Sequence, residues 1–159
     1  MTKKVIKSIF FDQFYDAINN KAKNVDTNKL IELADLIRAT KINSGKIIIV
    51  GNGGSAAIAS HVAIDLTKAA NIRSMNFNEA SLLTCFSNDY GYENWLFQAL
   101  KSYAKKDDLV ILVSSSGKSK NMINAANFCK KQKINLITFT GFNKNNNLRK
   151  LGKINFWCN

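Results

Sequence analysis

The sequence predicts an α/β fold, specifically a three-layer α/β/α, doubly wound domain built on a five-stranded parallel sheet. Two observations support this prediction. From Lys46 onwards, short runs of β-branched and aliphatic residues alternate with helical patterns, and two of the runs lead directly into loops of glycine and serine. Such alternation is typical of parallel strands covered by helices on both faces. The predicted strands are 46–50, 72–77, 109–113, 134–139 and 154–158.

Helical periodicity fills the segments between these strands. The predicted helices are 56–70, 80–86 followed by 93–105, and 120–132. Two further amphipathic helices precede the first strand, at about Ser8 to Asn20 and Leu30 to Arg38. A polar linker, 21–27, joins them, and Asp26 or Thr27 is the expected N-cap of the second helix.

A five-stranded sheet does not need the two N-terminal helices to cover its faces. They either pack on one face of the sheet or form a helix bundle with other copies in an oligomer. We interpret residues 1–159 as a single domain, with 1–45 as helices for oligomer packing and 46–159 as the α/β core.

The chain is strongly basic, with 23 basic and 11 acidic residues and a net charge of +12. The basic residues are scattered, and only Arg38, Arg73 and Arg149 are arginines, the residue type that favours bidentate contacts with phosphate and bases. A solvated basic surface is therefore favoured over a nucleic-acid face. A general attraction of anionic metabolites toward a cleft is a third alternative.

The cysteines Cys85, Cys129 and Cys158 lie far apart and form no CxxC pair. This spacing is typical neither of a disulfide framework nor of a zinc finger, so a reducing cytosol is expected. No signal peptide follows Met1, and no window reaches the roughly 18 apolar residues of a membrane span. We therefore expect a cytoplasmic protein without a membrane partner.

Two small-residue loops are predicted to share one edge of the sheet. With the flavodoxin-like strand order 2-1-3-4-5, right-handed crossovers place the strands 46–50 and 109–113 side by side. The loops Gly51–Ser55 and Ser114–Ser119 then meet at the carboxyl edge. Their backbone N–H groups and hydroxyls, at helix N-termini, favour an anion. The pair predicts one ligand that carries a phosphate and several hydroxyls.

A nucleotide cofactor is not expected at these loops. The stretch Gly51 to Ala56 matches G-x-G-x-x-A, but the acidic residue expected about 20 positions on is absent, and the first carboxylate is Glu79. Neither loop matches the Walker A pattern GxxxxGK[ST]. The second loop instead has more hydroxyls than one N-cap uses, at Ser114, Ser115, Ser116 and Ser119.

Two further groups of residues are candidates for chemistry. His61 is the only histidine, and Asp65 follows it at helical i+4 spacing on the same face. Such a pair serves as acid and base or as two metal ligands, unless it is an ordinary surface pair. The stretch Asn88 to Glu93 predicts a polar turn between two helical segments. It is either a helix-breaking loop or part of a sugar pocket lined by buried aromatic residues.

Together these residues resemble the sugar isomerase (SIS) domain family, in its phosphoheptose isomerase branch. The resemblance rests on Gly51–Ser55, His61-x-x-x-Asp65-Leu-Thr67, Ser81 to Glu93, Ser114-x-Ser-Gly-x-Ser119 and Thr140-Gly-Phe142. It implies a three-layer α/β/α fold and a homotetramer with active sites at subunit interfaces. It also implies conversion of sedoheptulose 7-phosphate to heptose 7-phosphate, an early step towards activated heptose for surface polysaccharide.

The resemblance also implies roles for individual residues. The serine loop would hold the phosphate, and the first loop and the 88–89 turn would contact the sugar. These substrate-binding residues are Asn52, Gly53, Gly54, Ser55, Asn88, Asp89, Ser114, Ser115, Ser116 and Ser119. His61 and Asp65 would act in catalysis or bind zinc. Ketose–aldose isomerisation through an enediol needs such a base, an acid or metal, and an anchored phosphate.

The sequence departs from the family pattern in two ways. Many members have Glu where this chain has Asp65. The family also continues past the last strand into a helix with a Gln and a second His, and this sequence stops at Asn159. We expect that residues are missing and that the protein is an isomerase, with Asp65 as base and His61 as acid or zinc ligand. The alternative is a non-catalytic SIS module that binds a sugar phosphate or a protein partner such as a replication initiator.

Overall fold

Helices and strands alternate along residues 3–158, the part of the chain that the computed structural model describes, with side chains described from Ile9. Met1, Thr2 and Asn159 of the predicted domain lie outside the described residues. The elements are α1 (Lys3–Lys23), α2 (Thr27–Ile42), β1 (Ile47–Gly51), α3 (Gly54–Lys68), β2 (Ser74–Met75), α4 (Ala80–Tyr90), α5 (Trp95–Tyr103), β3 (Leu109–Ser114), α6 (Lys120–Gln132), β4 (Asn135–Thr140), a 3-10 turn (Leu148–Lys150) and β5 (Ile154–Trp157).

All strand pairs in the sheet are parallel, and the order is β2-β1-β3-β4-β5. The predicted fold class and strand order are therefore confirmed. In the register between β1 and β3, Ile47 pairs with Leu109 and Gly51 pairs with Val113. The two strands therefore end side by side, and the loops that follow them start at neighbouring points of the carboxyl edge.

Side chains of the central strands alternate between two apolar layers. Ile48 and Val50 of β1 pack in the layer covered by α4, α5 and α6, together with Trp95 and Met122. Ile47 and Ile49 pack in the opposite layer with Ala59 of α3, and Leu33 and Leu36 of α2 pack against it. Each fully buried aliphatic side chain contributes about 1.5–3 kcal/mol. Because both faces are covered, the strands are continuous apolar runs rather than alternating ones.

The N-terminal helices differ in how they relate to the sheet. Asp26 is the N-cap of α2, as predicted, and its carboxylate accepts hydrogen bonds from the backbone N–H groups of Asn28 (3.1 Å) and Lys29 (3.3 Å). α2 packs on the sheet, whereas every described side chain of α1, residues 9–23, is exposed. The predicted linker 21–27 is too long, because α1 continues to Lys23.

Most predicted elements are shifted by a few residues in the structure, and for two of them the local cause is clear. The strand expected at 72–77 is reduced to Ser74–Met75, because the side chain of Asn76 accepts a hydrogen bond from the Asn78 N–H (2.9 Å) and turns the chain. The helix expected at 80–86 runs on to Tyr90 and ends where Gly91 adopts a φ of 79°. Separately, no helix within residues 3–158 is both long and apolar enough to cross a bilayer.

Candidate active site

The two small-residue loops meet at the carboxyl edge, as the strand order predicts. Glycine is required at two points of this edge. A Cβ at Gly51 would collide with the backbone of Ser55, and a Cβ at Gly117 would collide with the side chain of Asn146. Gly117 also has a φ of 59°, which favours glycine. These close approaches fix the path of both loops.

A pair of carboxamides links the first loop to the helix that follows the second. The Nδ2 of Asn52 donates to Oδ1 of Asn121 (3.1 Å), and the Nδ2 of Asn121 donates back to Oδ1 of Asn52 (3.0 Å). The hydroxyl of Tyr92 donates to the same Oδ1 of Asn52 at 3.3 Å. Sequence reasoning missed Asn121 as a site residue, although its place two residues after Ser119, at the start of α6, was an available signal.

An open cleft of about 610 Å³ lies between these elements. Of the predicted site residues, Asn52 and Ser119 line it. The other lining residues are Tyr90, Gly91, Tyr92, Glu93, Asn94, Lys120 and Asn121. Across the cleft wall, the Nζ of Lys120 lies 3.2 Å from Oε2 of Glu93. The cleft is therefore built by the first loop, the turn between α4 and α5, and the N-terminus of α6.

The four serines of the second loop occupy different environments. Ser114 is buried, and its Oγ accepts a hydrogen bond from the Gly117 N–H (3.3 Å). The Oγ of Ser116 accepts from the Lys118 N–H at 3.2 Å. Ser115 is exposed, and Ser119 is the N-cap residue of α6 but its hydroxyl makes no capping bond. Of the four, Ser119 lines the cleft, and binding of a ligand by the serine hydroxyls stays a prediction.

His61 and Asp65 lie together on α3, as their spacing predicts. The Nε2 of His61 is 3.3 Å from Oδ2 of Asp65, and their side chains are 79% and 62% exposed. They are not among the residues that line the 610 Å³ cleft. Whether they act in catalysis stays a prediction.

A zinc ion would find an incomplete set of ligands here. Zinc sites take three or four protein ligands, and His61 and Asp65 supply two. Among residues 3–158 no group of three or more His, Cys, Asp or Glu side chains is placed to hold a metal. The described residues by themselves do not fit a zinc site.

The prediction of a polar turn at 88–93 is wrong in its first half. Asn88 and Asp89 belong to the last turn of α4, where the Nδ2 of Asn88 donates to Oδ1 of Asp89 (3.0 Å). The turn itself comprises residues 91–94. The aromatic residues expected to be buried beside it, Tyr90 and Tyr92, are exposed and line the cleft. Contact of Asn88 and Asp89 with a sugar stays a prediction.

Comparisons with known proteins identify the family. The model of the SIS domain matches residues 11–141. "Phosphoheptose isomerase 2" of Campylobacter jejuni is 35% identical over 147 residues, which are 86% of this chain and 73% of that protein. The phosphoheptose isomerase of Histophilus somni is 33% identical over 132 residues, covering 79% of this chain and 68% of that protein.

Solved structures agree with this match. The phosphoheptose isomerase GmhA from Neisseria gonorrhoeae superimposes with a TM-score of 0.85 at 25% identity, covering 98% of this chain and 85% of that chain. A phosphoheptose isomerase from Francisella tularensis shares the fold, with a TM-score of 0.86 at 20% identity over 100% of this chain and 86% of that chain. The family match over 11–141 and the shared fold lead to one conclusion: this chain belongs to the SIS domain family.

Proposed function

We propose that this protein is a phosphosugar isomerase that interconverts sedoheptulose 7-phosphate and heptose 7-phosphate. The observation that carries the proposal is the meeting of the Gly51–Ser55 and Ser114–Ser119 loops at one edge of the sheet, beside a single cleft. The relatives named phosphoheptose isomerases, at 33–35% identity, support this substrate over other sugar phosphates.

The phosphate end of the substrate would bind at the serine loop. This loop precedes α6, a helix of 13 residues whose N-terminal N–H groups and dipole favour an anion. Ser115 is exposed, the hydroxyl of Ser119 makes no capping bond, and Lys118 adds positive charge nearby. Ser114 and Ser116 hold the loop in shape through their bonds to Gly117 and Lys118.

The sugar end would lie against the first loop. Asn52 lines the cleft, and Gly53 and Gly54 form the start of α3, where the first backbone N–H groups of a helix are available to hydroxyl or carbonyl oxygens. The N–H of Ser55 donates to the backbone oxygen of Asn52 (3.0 Å), so Ser55 would contribute its hydroxyl. The two loops together would hold the substrate at both ends. Holding the chain at two points keeps the reacting carbons in register, which is a major part of the rate enhancement for such reactions.

The chemical step would move one proton between neighbouring carbons. The Asp65 carboxylate would take a proton from C1 of the ketose while His61 protonates the carbonyl oxygen at C2, giving an enediol. Return of the proton to C2, with loss of the hydroxyl proton at C1, forms the aldehyde. General acid–base catalysis of this type contributes about 10²–10⁴-fold.

The exposure of the His61–Asp65 pair supports assembly into an oligomer. Large apolar side chains are exposed on the same helix, at Ile58, Val62 and Ile64, and along α1. A second copy that covers these faces would also exclude water from the pair, which strengthens electrostatic interactions with a substrate. We therefore extend the proposal to a homotetramer with its catalytic residues at subunit interfaces.

The test is conversion of sedoheptulose 7-phosphate, followed by NMR in D₂O with and without added zinc. We expect aldose signals to appear and deuterium to be incorporated at C2 of the product. Asp65→Asn, with its carboxylate removed, is the matched inactive control. Retained sugar-phosphate binding without any turnover would overturn the isomerase proposal and favour the non-catalytic module.

A further inference from the structure

Asn121 is a buried polar side chain whose hydrogen bonds go to a residue of the cleft. It is 2% exposed, and its carboxamide forms two reciprocal bonds with Asn52, of 3.1 and 3.0 Å. Burying a carboxamide is costly unless its polar atoms are paired. The reciprocal pairing meets that requirement and joins two segments that are 69 residues apart in sequence.

The pairing determines what Asn52 can offer to a ligand. A carboxamide has two donor hydrogens and an oxygen that accepts two hydrogen bonds. The Oδ1 of Asn52 accepts from both Asn121 (3.0 Å) and the Tyr92 hydroxyl (3.3 Å), so its acceptor capacity is used. One of its two N–H groups is donated to Asn121 at 3.1 Å. A single N–H remains for a molecule in the cleft, so Asn52 is restricted to donating.

Other contacts hold this network against α6. The turn that carries Tyr92 is joined to the helix by the Lys120–Glu93 ion pair of 3.2 Å. The Nδ2 of Asn124 also donates to the backbone oxygen of Glu93 at 2.9 Å. Since Asn121 follows Ser119 by two residues, the orientation of Asn52 is linked to the loop assigned to the phosphate.

We propose that Asn121, assisted by Tyr92, is a positioning residue that acts through Asn52. It holds the Asn52 carboxamide so that its one unpaired N–H donates to an oxygen lone pair of the sugar chain while the serine loop holds the phosphate. This inference rests on the proposed function and extends it to a residue whose carboxamide is bonded to Asn52.

A double-mutant cycle tests whether Asn121 works through Asn52. We expect Asn121→Ala to lower kcat/KM for sedoheptulose 7-phosphate by about 10–100-fold, because small misplacements of positioning groups have effects of that size. Asn52→Ala should cost at least as much, and the double variant should be no worse than Asn52→Ala. Losses that multiply in the double variant, or a wild-type kcat/KM in Asn121→Ala, would overturn the inference.

Two conservative variants keep the test decisive if Asn121→Ala folds poorly. Asn121→Asp is isosteric but places an oxygen opposite Oδ1 of Asn52, and Tyr92→Phe removes one hydroxyl from an exposed ring. Each substitution should lower kcat/KM when made alone. When combined with Asn52→Ala, neither should lower kcat/KM further. Asn127→Ala, an exposed residue of the same helix, is the matched control and should match wild type.

The same variants separate this inference from the proposed function. If the wild-type protein binds sedoheptulose 7-phosphate in calorimetry but does not turn it over, the isomerase proposal fails. The double-mutant cycle is then measured on the Kd for sedoheptulose 7-phosphate. The double variant should again be no worse than Asn52→Ala. If the wild type is an isomerase and Asn121→Asp equals it, the positioning role fails while the function stands.

Discussion

The Nε2 of His61 lies 3.3 Å from Oδ2 of Asp65, one turn further along α3, and both side chains are largely open to solvent. An imidazole and a carboxylate are thus in contact on one helix, which starts within the Gly51–Ser55 loop. In a single copy of the chain, nothing described shields this pair from water. The catalytic role that we propose for the pair therefore requires a second copy to cover it.

The first prediction concerns Asp65 as the base. Asp65→Asn should lower kcat by about 10²–10⁴-fold without changing the melting temperature, because the side chain is exposed and the change is isosteric. Asp65→Glu should retain turnover, since it keeps the carboxylate. The comparison is made by NMR turnover alongside Asp35→Asn, an exposed carboxylate of α2. Near-wild-type kcat in Asp65→Asn would contradict the assignment.

The second prediction separates binding from loop structure among the serines. Ser119→Ala should weaken phosphate-ester binding by about tenfold or more, the effect of losing a hydrogen bond to a charged group. It should leave stability unchanged, because the hydroxyl makes no capping bond. Ser116→Ala should also weaken binding more than folding. Calorimetric titration measures the affinity and thermal melts measure the stability, with the exposed residue variant Ser102→Ala as control. An unchanged affinity in both loop variants would mean that the loop is only a turn.

The third prediction concerns the opposite edge of the sheet. Asp108 is 2% exposed, and its carboxylate accepts from the Nζ of Lys46 (2.6 Å) and the N–H of Lys105 (2.7 Å). Asp108→Asn should lower the free energy of unfolding by about 1–3 kcal/mol, because the half-buried Lys46 ammonium loses its charged partner and keeps only the Tyr103 backbone oxygen (2.7 Å). Urea unfolding measures this, with exposed Asp107→Asn as control. Turnover by Asp108→Asn, measured below its unfolding temperature, should equal that of wild type. Equal free energies of unfolding for Asp108→Asn and Asp107→Asn would refute the prediction.

The fourth prediction is a pH dependence at the start of α4. The backbone N–H groups of Ser81 (2.9 Å) and Leu82 (2.7 Å) donate to the carboxylate of Glu79 and lower its pKa from 4.5. Since the folded pKa is depressed, the stabilisation is present above the unfolded value and is lost as pH falls through the folded pKa.

Urea unfolding between about pH 6 and pH 3 checks this dependence. The free energy of unfolding should fall more steeply with acid in wild type than in Glu79→Gln, which keeps an acceptor but cannot titrate. Glu32→Gln, an exposed residue of α2, should follow wild type. Parallel curves for wild type and Glu79→Gln would show that the cap does not contribute.

The fifth prediction concerns the exposed face of α1. Phe10 and Phe14 stack at 6.5 Å between ring centroids and are 62% and 51% exposed. If α1 packs against other copies, Phe14→Glu should shift the mass in light scattering towards the monomer and lower kcat. Asn19→Glu, also exposed on α1, should leave the mass unchanged. A monomeric wild-type protein would contradict the proposed assembly.

The sequence by itself determined the fold class, the strand order and the place of both loops. Apolar runs such as 46–50 and 109–113 are long enough to specify buried parallel strands, and right-handed crossovers allow few arrangements of them. The i+4 spacing of His61 and Asp65 was equally local, so their contact was predictable.

Tertiary structure alone decided which side chains share the cleft. The Asn52–Asn121 pair joins residues 69 apart, and no local pattern specifies that two carboxamides will meet. Such contacts arise from packing between distant segments, whereas strands and loops follow from the residues nearest to them in the chain.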